Sequence, residues 1–304
     1  MLHPSMHSSK NYYWRIAGFY FFYYAFVGMF APYWSLYLKS IQFSAIEIAI
    51  LLSLQPVMRM ISPNIWGWIA DHTGKRQRVV QIAAALSALC YLGVFATTGF
   101  WGMFLVLALM GFFWSASMPL VEATTLSYLG RNTSHYGRIR SWGSIGFIVS
   151  VVGLGYAYDY IAIAWLLWAG LVCELGILIF SRQIPKTEVL AHHTDSQPIR
   201  QIVFQPRVLA LLGACFLMSV AHGPYYTFFS IYLVEHGYTK SVVGWLWALG
   251  VICEIGMFFL MPMLARRFGY TRILLFSFGS AIVRFMLIGW GVDFIALLLI
   301  AQVL

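Results

Sequence analysis

Charge is what this sequence has least of. Of its 304 residues, 10% are Asp, Glu, Lys or Arg, where a soluble domain carries roughly 25%. A soluble chain of this length needs a polar coat, and so few charges cannot make one. Acidic residues are the scarcer sign, 10 against 19 Lys and Arg, for a formal charge of +9. The surplus does not describe a nucleic-acid binder, because the basic residues sit in short loops between apolar stretches and not along one face. Cysteine is sparse as well. Cys90, Cys173, Cys215 and Cys253 each stand alone in an apolar segment, without the paired spacing of a metal site or redox motif, and read as small apolar filler. No P-loop, HExxH or GxSxG occurs, so neither an enzyme nor an ATP-driven machine is expected, and neither is a metal or cofactor.

What the chain has instead is hydrophobic length, with 61% hydrophobic and 18% aromatic residues. Spanning a bilayer takes about 20 mostly apolar residues. Nine stretches qualify, near 12–38, 44–69, 78–98, 101–127, 138–158, 161–181, 207–234, 241–264 and 272–291. A tenth starts near Phe294. The first stretch is longer than the ~7–15-residue core of a cleavable signal, so it is expected to be a span. The expected class is an all-α membrane protein embedded in the lipid bilayer. The one long polar connection, Arg182–Pro206, reads as a solvated linker. It divides the chain into an N-terminal bundle over 1–181, a linker over 182–206 and an incomplete C-terminal bundle over 207–304. With the N-terminus in the cytoplasm, fifteen Lys and Arg fall on the cytoplasmic side and only Lys39 and Lys240 on the other, which sets the orientation.

The chain also repeats at an offset of 195. Ser35–Leu38 returns as Ser230–Leu233, Phe43-Ser44 as Tyr238-Thr239, and Ala70 and Gly74 as Ala265 and Gly269. A parallel repeat related by an axis along the membrane normal is expected. Six spans per half imply that the second half runs on about 80 residues past Leu304, by analogy with repeat architectures.

Between the second and third spans stands Gly67-Trp68-Ile69-Ala70-Asp71-His72-Thr73-Gly74-Lys75-Arg76. This resembles the signature loop of the major facilitator superfamily, and implies that family's fold of two six-helix bundles. Gly67 is expected to allow close helix approach and Gly74 a tight reversal. Asp71, Lys75 and Arg76 are expected to form a charge latch with another helix end. The copy in the second half is degenerate, with Arg266 in place of Asp71. The segment Tyr136–Phe147 resembles lactose-permease-type proton symporters. His222–Leu233 and Trp247–Glu254 resemble the phenylpropionate permease branch. That resemblance implies a proton-coupled importer of the bacterial inner membrane, taking small aromatic carboxylates such as 3-phenylpropionate.

Ionisable residues inside spans are costly and therefore functional candidates. They are Arg59, Glu122, Glu174, Glu254 and Arg284, with His222 and Arg140 beside them. At 1.5 Å rise per residue, Glu122 and Arg140 lie within about one turn in depth on consecutive helices, so an ion pair is expected, either at the substrate site or purely structural. Glu254 matches Arg284 in depth and is the repeat equivalent of Arg59, which leaves it two candidate partners. Glu174 is expected to snorkel. His222 is either a ligand or proton site or a hydrogen-bonded structural residue. Tyr33, Trp34, Tyr225 and Tyr226 are candidate aromatic walls, and Arg59 or Arg140 a carboxylate anchor. The expected partners are a small-molecule substrate and a proton, with a monomer as the working unit and the proton gradient as driving force. The alternatives are a proton symporter for a sugar or nucleoside, and a non-transporting membrane receptor on the same fold.

Overall fold

A computed structural model describes residues 6–130, 134–185 and 203–304, with side chains from residue 12 in the first segment and from 136 in the second. Among the described residues there are ten α-helices and no strand. They are α1 (Met6–Ser40), α2 (Ala45–Thr73), α3 (Arg76–Leu92), α4 (Phe100–Leu129), α5 (Ser134–Tyr160), α6 (Leu166–Ser181), α7 (Pro206–Glu235), α8 (Lys240–Phe268), α9 (Tyr270–Trp290) and α10 (Ile295–Val303). Nine of these segments are long and apolar enough to cross a membrane, and each overlaps the stretch expected there. Most of the expected linker, with Lys186 and Arg200, lies outside the described residues, as do Arg131 and the side chain of Lys10.

The helix ends show why the chain turns where it does. Ser44 caps α2 in a reciprocal capping box with Glu47, which satisfies two otherwise orphaned backbone donors. Gly74 closes the same helix in the left-handed region, with φ +65°, a conformation that glycine adopts without strain. The repeat reproduces both ends. Thr239 caps α8 through its side chain, and Gly269 follows it with φ +77°. α2 and α8 therefore begin and end at positions related by the same 195-residue offset.

α1 forms the centre of the first six helices, packing on α5 and α6, while α2 packs on α4, and α3 on both α4 and α6. The core around α1 is aromatic: Phe19, Tyr20, Phe26, Tyr33 and Trp34 are fully buried. α1 and α5 approach closely enough that a Cβ at Gly146 would lie 2.2 Å from the Phe21 carbonyl oxygen. One at Gly28 would lie 2.6 Å from that of Phe147. Small residues at such crossings let backbones touch where no aqueous hydrophobic effect drives association. The outer surface is the reverse of a soluble one, with Trp101, Phe259 and Trp290 more than three-quarters exposed. Such rings suit contact with lipid tails, and helix formation satisfies most backbone polar groups within each span.

The first six helices meet α7–α10 chiefly through α5 against α8 and α1 against α7. Every hydrogen bond between the two sets, among the described residues, lies at one end, around the α7–α8 turn. The Asp159 carboxylate accepts from the backbone N–H of Lys240 at 2.7 Å and Ser241 at 3.3 Å, so an α5 acid sits on the N-terminus of α8. Lys240 Nζ donates to the Tyr158 carbonyl at 3.0 Å, and Trp245 Nε1 to the Tyr156 hydroxyl at 3.1 Å. Lys39 pairs with Glu235. Glycines let the backbones close: a Cβ at Gly244 would lie 2.5 Å from the Val151 carbonyl oxygen. The molecule is thus tied at the end remote from the 182–206 linker.

Candidate substrate site

The sequence assigns α1 a tyrosine-rich run, α2 the internal prolines Pro56 and Pro63, and α4 the internal proline Pro119. Together these build a site. Arg59 of α2 sits over the indole of Trp114 on α4, with Cζ 5.3 Å from the ring centroid. Trp114 stacks in turn on Tyr23 of α1, with centroids 4.0 Å apart and planes 13° from parallel. Arg59, Tyr23, Tyr24, Pro63, Ser115, Met118 and Pro119 line a pocket of about 300 Å³. Arg59 makes no ion pair among the described residues. Ser115 is 3% exposed and its hydroxyl has no hydrogen-bond partner among the described residues.

Tyr24 joins this pocket to a second cluster. Arg140 of α5 lies over the Tyr24 ring at 4.1 Å and donates to the Tyr24 hydroxyl. The same guanidinium reaches Glu122 at 3.9 Å, and Glu122 accepts from Tyr136 at 3.4 Å. The expected Glu122–Arg140 pair therefore forms, but loosely, because Tyr24 draws the guanidinium towards α1. Both side chains are about one-third exposed, so the pair remains open to exchange with water or a ligand.

The second half is organised differently from the sequence expectation. Arg284 lies over the Tyr225 ring at 4.4 Å and donates to Gln302 Oε1 at 3.1 Å. Tyr225 donates to that same oxygen at 2.9 Å. Glu254 is exposed and lies within ion-pair distance of neither Arg284 nor Arg59 among the described residues. Both candidate pairings are thus corrected: matched depth fixes how far along the membrane normal a residue lies, but not which way its side chain points. His222 Nδ1 faces the Met218 carbonyl at 2.9 Å, with its ring edge-on to Phe285. Tyr226 is exposed.

Three other expectations are corrected. Tyr33 is no cavity wall. It is buried, and its hydroxyl donates to the Val151 carbonyl at 2.6 Å, with Lys240's at 3.3 Å. Trp34 is buried in the α1 core, stacked on Phe30. Glu174 does not snorkel: it is fully buried and accepts from Ser87 at 3.1 Å. α6 packs against α1 and α3, so its face at Glu174 has no route to water. In the loop, Gly74 makes its tight reversal, but a Cβ at Gly67 would meet nothing within 4 Å, so no helix comes close there. Asp71 pairs with Arg76, five residues on, at 3.1 Å, and its side chain is 62% exposed. Lys75 begins α3 without a capping bond. Among the described residues, no hydrogen bond or ion pair joins the side chains of this loop to another helix end.

Sequence reasoning missed Tyr23, Tyr24, Trp114, Ser115 and Gln302. A signal existed for two of them: Tyr20, Tyr23 and Tyr24 stand three and four residues apart, on one face of α1. Two sets of helices of membrane-spanning length, tied at one end and flanking polar clusters on proline-containing spans, have the architecture of a multi-pass membrane transporter. The model of the MFS_1 like family matches residues 13–304, and the chain belongs to that family of the major facilitator type. It is 29% identical over 289 residues to the probable 3-phenylpropionic acid transporter of Escherichia coli K12, covering 92% of this chain and 73% of that one. It is also 29% identical over 263 residues to the maltose permease of Geobacillus stearothermophilus, with coverages of 85% and 66%. The nucleoside transporter NupG superposes with a TM-score of 0.82 at 17% identity, covering 96% of this chain and 78% of NupG, which shows the shared fold.

Proposed function

We propose that the chain forms a proton-coupled importer of a small aromatic carboxylate, operating by alternating access in the bacterial inner membrane with its N-terminus in the cytoplasm. The observation that carries this reading is Arg59, a cation with no acidic partner among the described residues, on a pocket walled by Tyr23 and Tyr24. A carboxylate needs a guanidinium that is not already neutralised, and an aryl group gains from aromatic and thioether walls such as Tyr23, Tyr24 and Met118. A sugar site favours carboxylates that accept from hydroxyls, and no acid lines this pocket. The likeness to a probable 3-phenylpropionic acid transporter supports the same substrate class. Glu122 is the proposed proton carrier. Its loose contact with Arg140 lets it release the guanidinium on protonation, and Tyr24 stands ready to hold that guanidinium.

The test is uptake of radiolabelled 3-phenylpropionate, lactose and uridine by the full-length protein in proteoliposomes under an imposed proton gradient. The carboxylate is expected to accumulate. Arg59→Gln removes a charge-assisted contact of about 1.5–3 kcal/mol, a loss of roughly 10- to 100-fold in affinity. Accumulation of lactose or uridine in its place, or an Arg59→Gln variant with unchanged affinity, would overturn the assignment. Binding without accumulation would identify a receptor on the same fold.

A further inference from the structure

The pocket contains two features that a bare aryl carboxylate leaves unused. Pro63 of α2 and Pro119 of α4 both line it. A proline inside a helix has no N–H, so the carbonyl four residues earlier loses its helical partner. Those carbonyls belong to Arg59 and Ser115, which line the same pocket. A helical carbonyl points along the axis towards the residue four positions on, so each freed oxygen lies beside a proline ring that faces the cavity. The kink at a proline opens the helix at that point. No described side chain takes up the loss. Next to Pro63, Asn64 Nδ2 donates to Met60's carbonyl at 2.9 Å and not to that of Arg59. The buried, unpartnered Ser115 hydroxyl stands at the same place. Buried carbonyls and hydroxyls are nearly always hydrogen-bonded in folded proteins. Two carbonyls that have lost their usual i+4 donor to a proline, and a buried hydroxyl without a partner among the described residues, gathered around one cavity, describe a place for a donor that arrives with the ligand.

We infer that this pocket selects aryl carboxylates that also carry a hydroxyl or amino donor on the ring. Arg59 takes the carboxylate, and the Pro-freed carbonyls of Arg59 and Ser115 take the donor. The inference rests on the aromatic-carboxylate reading above and adds the donor as the determinant of choice within that class. It also separates the two prolines from a purely mechanical role. A kink needed only for helix shape would have no preference between a hydroxylated ligand and its parent.

The experiment measures displacement of radiolabelled 3-phenylpropionate from the detergent-solubilised full-length protein. The competitors are unlabelled 3-phenylpropionate and the ortho, meta and para isomers of 3-(hydroxyphenyl)propionate. At least one isomer is expected to bind about 3- to 10-fold tighter than the parent, the worth of one neutral hydrogen bond. Pro119→Ala and Pro63→Ala restore the missing N–H, and alanine favours the helix, so both variants are expected to fold. At least one of them is expected to bring the isomer preference, read as the ratio of the best isomer's affinity to the parent's in the same variant, to about onefold, since the donor's acceptor has been taken. Equal binding of all isomers and the parent by the unaltered protein would overturn the inference and leave the carboxylate reading standing. So would a preference that survives in both alanine variants, or a loss of all ligands together in both, which would assign the prolines to shape alone. Absence of any displaceable 3-phenylpropionate binding would instead defeat the underlying reading.

Discussion

Replacing Asp159 would show how much free energy holds the two halves in their present arrangement. Its carboxylate accepts from two backbone N–H groups at the start of α8, at 2.7 and 3.3 Å, and its charge lies at the positive end of that helix. A charge-assisted hydrogen bond contributes about 1.5–3 kcal/mol net when shielded. Asp159 is exposed, so the lower part of that range applies. Asp159→Asn keeps one acceptor and loses the charge, for a cost of about 1 kcal/mol, which is about fivefold in the equilibrium between tied and parted halves. Asp159→Ala loses both bonds, for about 2 kcal/mol and roughly 30-fold. The surface pair Lys39–Glu235 contributes about 0–1 kcal/mol, so Lys39→Ala should shift the balance by less than about fivefold. Val151 is fully buried at this interface, and a cysteine placed there reports its opening. A membrane-impermeant maleimide added from that side should label Val151→Cys faster in the order unaltered, Asp159→Asn, Asp159→Ala, against a parent with Val151 retained. Equal labelling rates in all three backgrounds would refute Asp159 as the tie.

Further outcomes follow from the packing. Gly146→Ala forces a methyl against the Phe21 carbonyl oxygen, a 2.2 Å approach, and should cost about 1–3 kcal/mol as overpacking, read as a lower melting temperature in detergent. Gln302→Leu removes the acceptor shared by Tyr225 and Arg284. It should cost about 1–3 kcal/mol per group left unpaired, whereas Glu254→Gln should leave thermal stability unchanged within about 0.5 kcal/mol. Ser87→Ala strips Glu174 of the hydrogen bond from Ser87, with an expected loss of about 1–3 kcal/mol, measured by thermal unfolding of the purified protein. Asp71→Asn is expected to leave folding intact and to raise thiol labelling at the linker end, because the proposed latch acts only when that end closes. Unchanged or lower labelling there would remove the latch role.

The spans were readable from sequence because a bilayer imposes a length, and nothing in the chain masks it. The turns were readable where capping chemistry is local, as at Ser44 with Glu47 and at Gly74. The repeat carried over to Thr239 and Gly269 for the same reason. The pairing of buried charges was not readable. Depth comes from counting residues along a helix, but Glu254, Arg284 and Arg59 differ in the direction their helices turn them, which tertiary packing sets. Arg284 met Gln302, an uncharged partner that a search for opposite charges passes over. Aromatic content misled for a related reason. Trp34 and Tyr33 belong to the interior of the α1 bundle, where rings fill volume, and composition does not separate a wall from a core. Glu174 was placed near water by its distance from a helix end, although its neighbours on α1 and α3 cover it.

Tyr33 has one proton and two carbonyl neighbours in different halves. The 2.6 Å bond to Val151, within its own half, is the one that holds the proton, and Lys240 at 3.3 Å is the distant bystander. When the halves part, the hydroxyl keeps its bond and leaves no stranded donor behind. Lys240's carbonyl stays at the start of a helix whose own N–H groups can serve it. A fully buried residue of the seam therefore adds little to the barrier for breaking it. It behaves like a hinge pin fixed in one leaf of a door, aligning the leaves at closure and riding away with its own leaf at opening.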